Sequence, residues 1–251
     1  IEGLLDNTDD TLILDVNTGS YILNGGIIQG GIITQSDGAV LEFTSSTNNR
    51  LDGAVLQGDL VLSDSNDYAR FYNGATFTGD AFLNGYRSRV SFESDTTLDN
   101  KRILLNGAET DFGVAGNATL TFGENAEVLL NNHLADLRSD IRFNGNGAII
   151  NQGKIIADGT NGNKSRYIYP DSFTNEGTVE AANGAELFIS STNWSNEDVI
   201  SASDSILNLN GTWTNESSAT VDAVNSTVRF IGNWDNNGIL NLTDSRLDLE
   251  G

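Results

Sequence analysis

An all-β parallel β-helix built of short coils is the fold this sequence predicts, and three observations predict it. Apolar and polar residues alternate over short runs, as in Thr11-Leu-Ile-Leu-Asp, Ala39-Val-Leu-Glu-Phe, Ser205-Ile-Leu-Asn-Leu and Ser245-Arg-Leu-Asp-Leu. That is the period-2 pattern of half-buried strands. The runs are separated by Asn and by 27 Gly, with one Pro, and no segment keeps a 3.6-residue apolar period over three turns. The third observation is that the pattern recurs at a fixed step.

The step is clearest in the C-terminal part. Phe173, Trp194, Trp213 and Trp234 are spaced 21, 19 and 21 residues apart, and Asn175, Asn196, Asn215 and Asn236 follow the same intervals. Asn175-Glu-Gly-Thr-Val-Glu-Ala aligns with Asn236-Asn-Gly-Ile-Leu-Asn-Leu, and Asn151-Gln-Gly-Lys-Ile-Ile-Ala is an earlier copy. A second strand follows in each unit, at Glu186-Leu-Phe-Ile, Ile206-Leu-Asn-Leu, Thr227-Val-Arg-Phe and Arg246-Leu-Asp-Leu, with a third short strand around the aromatic residue.

The N-terminal half repeats with different residues. Ile27-Ile-Gln-Gly-Gly, Val55-Leu-Gln-Gly-Asp and Thr76-Phe-Thr-Gly-Asp align on Gly30, Gly58 and Gly79, and Phe43, Phe71 and Phe92 each follow 13 residues later. Asn100 and Phe112 make a fourth copy, and Phe122 and Phe143 continue the step.

A period near 21 is too short for a propeller blade and lacks the leucine-rich signature, whereas a coil of strands and turns alone fits a β-helix. At about 4.8 Å per coil, roughly twelve coils give a rod near 55–60 Å long. In such a rod, equivalent residues stack on one another. The aromatics become a ladder of rings inside the coil, worth about 0.5–1.5 kcal/mol per contact beyond buried area. The Asn residues pass amide hydrogen bonds from coil to coil, at turns where Asn also tolerates a left-handed backbone. One continuous solenoid over residues 1–251 is expected, with a loop excursion from one coil at residues 158–172.

Composition removes several function classes. The net charge of −22 comes without a basic block, which disfavours nucleic acid and anionic membranes as partners. No apolar run reaches the roughly 20 residues of a membrane span. The chain has no Cys, so neither disulfides nor thiolate metal sites are available. It opens Ile1-Glu-Gly-Leu-Leu rather than with Met, and is expected to be a segment of a longer exported protein.

The unit Asn-x-Gly-x-[Val/Ile]-x-Ala followed by Ser/Gly-x-Leu-x-Leu resembles the repeats of secreted bacterial β-helix proteins. Autotransporter passenger regions and filamentous-haemagglutinin-like adhesins are the nearest in kind. The resemblance is best over residues 145–251 and looser over 20–143. It implies a right-handed parallel β-helix outside the cell, acting in adhesion, aggregation or surface coating, and it carries over no catalytic residue.

Chemistry-bearing motifs are sparse. Asn7-Thr-Asp-Asp matches one element of polygalacturonase-type hydrolases, but the only His, His133, stands in Asn-Asn-His-Leu, and the other elements are missing. With three Lys, no coil shows the basic residue and carboxylate set of a pectate lyase. Carboxylate pairs have no specificity in so acidic a chain. Asp6-Asn-Thr-Asp-Asp and Asp64-Ser-Asn-Asp offer oxygens without a calcium-loop order, and no metal or cofactor site is assigned. The Thr-x-Thr pairs at Thr76/Thr78, Thr119/Thr121 and Thr212/Thr214, and the sequons at Asn117, Asn193, Asn210 and Asn241, carry no assignment either.

The loop at 158–172 is the expected ligand contact, through Lys164, Arg166, Tyr167 and Tyr169, because insertions in solenoids gather on a binding face. Asn84-Gly-Tyr-Arg-Ser-Arg adds Tyr86, Arg87 and Arg89. Aromatic stacking and arginine hydrogen bonds suit sugars or proteins. The sequence thus points to a non-enzymatic structural or adhesive rod of a secreted or cell-surface protein, touching surface glycans or other proteins. The alternatives are a polysaccharide depolymerase or lyase, and a module whose ends stack into filaments.

Overall fold

A computed structural model describes residues 1–132, 136–139, 146–161 and 165–250; His133, Phe143 and Lys164 lie outside the described residues. The chain is an all-β parallel β-solenoid of about 11 turns with ~21 residues per turn, and among the described residues there is no helix. Each coil has three faces. The first coil places Leu4–Asp6, Thr11–Leu14 and Tyr21–Leu23 on the first, second and third face. The next repeats the order with Ile27–Gln29, Ile32–Gln35 and Leu41–Phe43, each strand pairing in parallel with its predecessor. The segment around the aromatic residue is a full strand of every C-terminal coil, as in Ser172–Asn175 and Asn193–Asn196.

Strand alternation sends every second side chain inward, and parallel register turns each inward position into a column along the rod. On the second face, Phe173 pairs with Trp194, Trp194 with Trp213, and Trp213 with Trp234. Trp194 and Trp213 are buried and stack at 4.9 Å and 11°. Trp234 is 38% exposed and leans on Trp213 and Phe230. The Trp194 indole N–H donates to the carbonyl of Asn210 at 2.8 Å.

The asparagine column lies two residues further along the same strands. Asn151 Nδ2 donates to Asn175 Oδ1 (2.8 Å), Asn175 to Asn196 (2.8 Å), Asn196 to Asn215 (2.8 Å) and Asn215 to Asn236 (2.7 Å). Each internal member also reaches backbone carbonyls, as Asn175 does at Gly177 and Val199. The ladder begins at Asn151 because the preceding residue in the column is Phe122, which has no donor. Asn151 Oδ1 is accordingly buried without a hydrogen-bond partner. These asparagines close extended strands and are not turn residues. The left-handed positions belong to other residues, among them Asn183, Asp204, Asn225 and Asp244, where the third face turns into the first.

In the N-terminal half the register differs from the sequence alignment. Ile28 pairs with Leu51 on the first face, and Val55 pairs with Ile32 on the second. Gly30 and Gly58 therefore sit at different corners, and Phe43 lies on the third face while Phe71 and Phe92 stack at 5.0 Å on the first. Two Gln-Gly turns in similar apolar surroundings look alike in sequence, whereas hydrogen-bond register tells them apart.

The interior keeps its cross-section by exchanging bulk between faces. Phe71, Phe92 and Phe112 fill the first face where the third contributes Leu62, Leu83, Leu105 and Leu130. Where Trp194 and Trp213 occupy the second face, the same third-face column has narrowed to Ala157, Ala181, Ala202 and Ala223. Close packing permits bulk on one wall only where another gives way. Gly211 and Gly232 pair within the long strands Ile206–Asn215 and Thr227–Asn236, which pass from first to second face without a break. Their φ of 104° and 90°, and carbonyls 2.3 and 2.6 Å from where a Cβ would stand, reserve both positions for glycine.

Breaking the buried ladder should cost far more than breaking a surface one. Asn196→Ala orphans Asn215 Oδ1 and removes a second donor from the Asp198 and Thr220 carbonyls, and should lower stability by about 2 kcal/mol in urea unfolding. Asn106→Ala, in the surface chain Asn84–Asn106–Asn131 (2.9 and 2.8 Å), should cost less than about 1 kcal/mol.

Candidate functional site

A cleft of about 610 Å³ lies where the third face turns into the first, lined by Ser45, Thr47, Asn66, Tyr68, Arg87, Arg89 and Glu109. Its wall is three successive corners stacked on one another. Asn66, Arg87 and Glu109 each take a left-handed backbone, with φ of 66°, 59° and 57°. Asn66 N–H donates to the Tyr86 carbonyl at 2.7 Å, and Arg87 N–H to that of Ala108 at 2.9 Å. Asparagine adopts this conformation readily; arginine and glutamate do so at a cost of roughly 1 kcal/mol each. The strain aims both long side chains over the cleft.

The side chains form a closed set of charges. Arg87 Nε donates to Glu109 Oε2 at 2.6 Å, and the Tyr86 hydroxyl to Oε1 at 3.1 Å. The Glu109 contact holds the Arg87 guanidinium above its ordinary range. Arg89 pairs with Asp111 at 2.6 Å, and Tyr68, 2% exposed, forms part of the floor. Beyond the cleft the first face continues with Arg70 on Glu93 (2.8 Å) and Arg50 on Asp52, their guanidinium groups 5.0 and 3.9 Å from the Tyr72 ring. Burial and Glu93 push the Tyr72 hydroxyl up. Four of the chain's 13 basic residues thus gather on this face and its corner, each matched by a carboxylate, in a molecule of net charge −22.

On the side away from the cleft, Asp67 borders a narrower groove of about 320 Å³ with Glu42, Ser63 and Asp64. Asp67 is buried at 4% exposure and accepts the Asp64 backbone N–H at 2.8 Å. Burial, helped by the charges of Asp64 and Glu42, raises its carboxyl to about 6. Among the described residues, no group of three or more His, Cys, Asp or Glu is arranged to hold a metal ion.

The expected loop site divides differently. Ser165–Tyr169, within the excursion expected over 158–172, is a first-face strand that pairs with Asp136–Ser139 and Glu186–Ile189. Arg166, expected as a ligand contact, points inward and is fully buried. It occupies the column of Leu187, Leu207 and Val228. Its guanidinium donates to the carbonyls of Leu130 (3.0 Å) and Asp158, and burial pulls its pKa down. Strand alternation is the reason: Tyr167 and Tyr169 flank an inward Ile168, and parity sends Arg166 inward too. Tyr167 and Tyr169 do face outward, and Tyr167 stacks on Phe188 at 4.9 Å and 14°. Arg87, Arg89 and Tyr86 come together as one surface. Tyr68 and Glu109 were missed by sequence reading, although each stands one 21- or 22-residue step from a residue that was singled out.

Comparison with protein-family models, curated proteins and solved structures finds no match.

Asp67 gives this region a pH dependence with a definite sign. The unfolded chain loses the aspartate proton near pH 4 while the folded chain keeps it to about 6, so stability falls between those values and stays lower above them. Asp67→Asn, which keeps an acceptor for Asp64 N–H, should be more stable than the parent at pH 8 by roughly 2 kcal/mol. The gain should vanish by about pH 3.5 in thermal melts.

Proposed function

We propose that the chain is a non-enzymatic adhesive rod segment of a secreted or cell-surface protein, and that the Arg87–Glu109 cleft is its glycan contact. The observation that carries the reading is the division of side chains. The aromatic and asparagine ladders are spent on the interior, while Arg87 and Glu109 are strained to overhang a polar cleft beside Tyr68 and Tyr86. Paired arginine and carboxylate groups offer donors and acceptors side by side, matching sugar hydroxyls, and the exposed Tyr86 ring supplies stacking surface. Because each arginine already has its carboxylate and the whole chain is strongly negative, an anionic sugar meets repulsion and a neutral glycan does not.

A second reading has one observation in its favour. Asp67, with its carboxyl near 6 and beside Asp64 and Glu42 in a groove, has the protonation behaviour of a general acid in glycoside cleavage. Turnover of any polysaccharide that disappears in Asp67→Asn would establish that reading and displace the adhesive one.

A glycan array run with parallel turnover assays tests the proposal. Binding of neutral glycans without cleavage is the expected result. Arg87→Asn should abolish it at least tenfold while leaving stability within about 0.5 kcal/mol, because asparagine relieves the left-handed strain as the exposed ion pair is lost. Equal binding by Arg87→Asn, or preference for acidic glycans, contradicts it.

A further inference from the structure

The third face carries an outward column that the sequence does not advertise. Leu60–Leu62, Ala81–Leu83, Arg102–Leu105, Glu127–Leu130 and Lys154–Asp158 alternate buried and half-buried residues. Their register aligns Val61, Phe82, Leu104, Leu129 and Ile156 on the outside of five consecutive coils. The column continues as Glu180, Ser201 and Asp222, so the apolar stripe ends abruptly. At about 4.8 Å per coil it runs roughly 20 Å along the rod. One flank is a line of alternating charge. Arg102, Glu127 and Lys154 lie in register, and Asp80 precedes them through its Oδ1, which accepts Arg102 N–H at 2.8 Å. The other flank is the surface asparagine chain Asn84, Asn106 and Asn131.

We propose that this stripe is a lateral interface with a second copy of the same chain, the two rods lying antiparallel. The charge order selects both occupant and direction. A two-fold axis across the rods, between the levels of Leu104 and Leu129, brings each column against itself in reverse. Leu104 then meets Leu129 of the partner copy, and Phe82 meets Ile156. Arg102 meets Glu127, Asp80 meets Lys154, and Asn106 meets Asn131, so each of these four charges faces its opposite. An axis along the rod would instead set the charged line over the asparagines and leave it uncompensated. The apolar patch, a few hundred Å² per copy, is smaller than the roughly 800 Å² per partner of a stable complex. The pairing is therefore weak in dilute solution and gains from the high local concentration of rods held side by side.

The chain has no cysteine, which makes a direct test simple. Phe82→Cys and Ile156→Cys are prepared separately, checked for parental melting, and oxidised alone and as an equimolar mixture near 0.5 mM, within the range of weak interfaces. The expected result is a disulfide-linked dimer in the mixture, at least tenfold above either variant alone, because the two Phe82 positions of an antiparallel pair stand about 14 Å apart. Leu129→Asp, added to the Ile156→Cys chain, should remove the product. Cross-linking of Phe82→Cys with itself would overturn the antiparallel arrangement. No cross-link in any sample, with only monomer in sedimentation at the same concentration, would overturn the interface.

Discussion

The parallel hydrogen-bond register between coils is the constraint on which everything else in this molecule depends. Once a strand pairs with its predecessor one spacing away, each side chain's nearest neighbours are its own equivalents in the coils before and after. A residue type that packs well against itself is then rewarded repeatedly. Tryptophan stacks on tryptophan at 4.9 Å, and asparagine hands its amide to asparagine at 2.7–2.8 Å. Charges brought into register either alternate in sign, as Arg102, Glu127 and Lys154 do, or reach a carboxylate beside them, as the register partners Arg50 and Arg70 do. The same register places acid and base opposite each other at Arg87 and Glu109 and at Arg89 and Asp111.

Function enters where the register tolerates irregularity. The three corners that build the cleft keep the stacking of their backbones yet assign Arg87 and Glu109 to a conformation suited to asparagine. The opposite solution appears further along, where Asp204, Asn225 and Asp244 occupy the left-handed place. There Ser226 and Ser245 accept the N–H groups of Ser205 and Ser226 at 3.1 and 3.0 Å. That corner is ordinary and smooth, and the comparison isolates what is particular about the cleft.

The solenoid class and the ladder were legible because the Trp and Asn columns repeat in identity as well as spacing. Asn175, Asn196, Asn215 and Asn236 announce themselves by recurrence, and so does the serine corner in retrospect, as Asp204-Ser, Asn225-Ser and Asp244-Ser. The N-terminal register was less legible, since Ile27-Ile-Gln-Gly and Val55-Leu-Gln-Gly are similar words on different faces. Burial of Arg166 depends on strand parity, which a loop reading of residues 158–172 discards. The cleft is assembled from corners 21 or 22 residues apart, and the apolar stripe from outward positions whose identities differ. Neither has a linear signature.

Exchange of the side-chain amide protons with solvent, followed by NMR, tests the register most directly. The account predicts that the Nδ2 protons of Asn175 and Asn196 exchange at least a hundredfold more slowly than those of Asn84 and Asn106, because opening them requires separating buried coils. Comparable, rapid exchange at all four would contradict the stacked interior and with it the placement of every column described above.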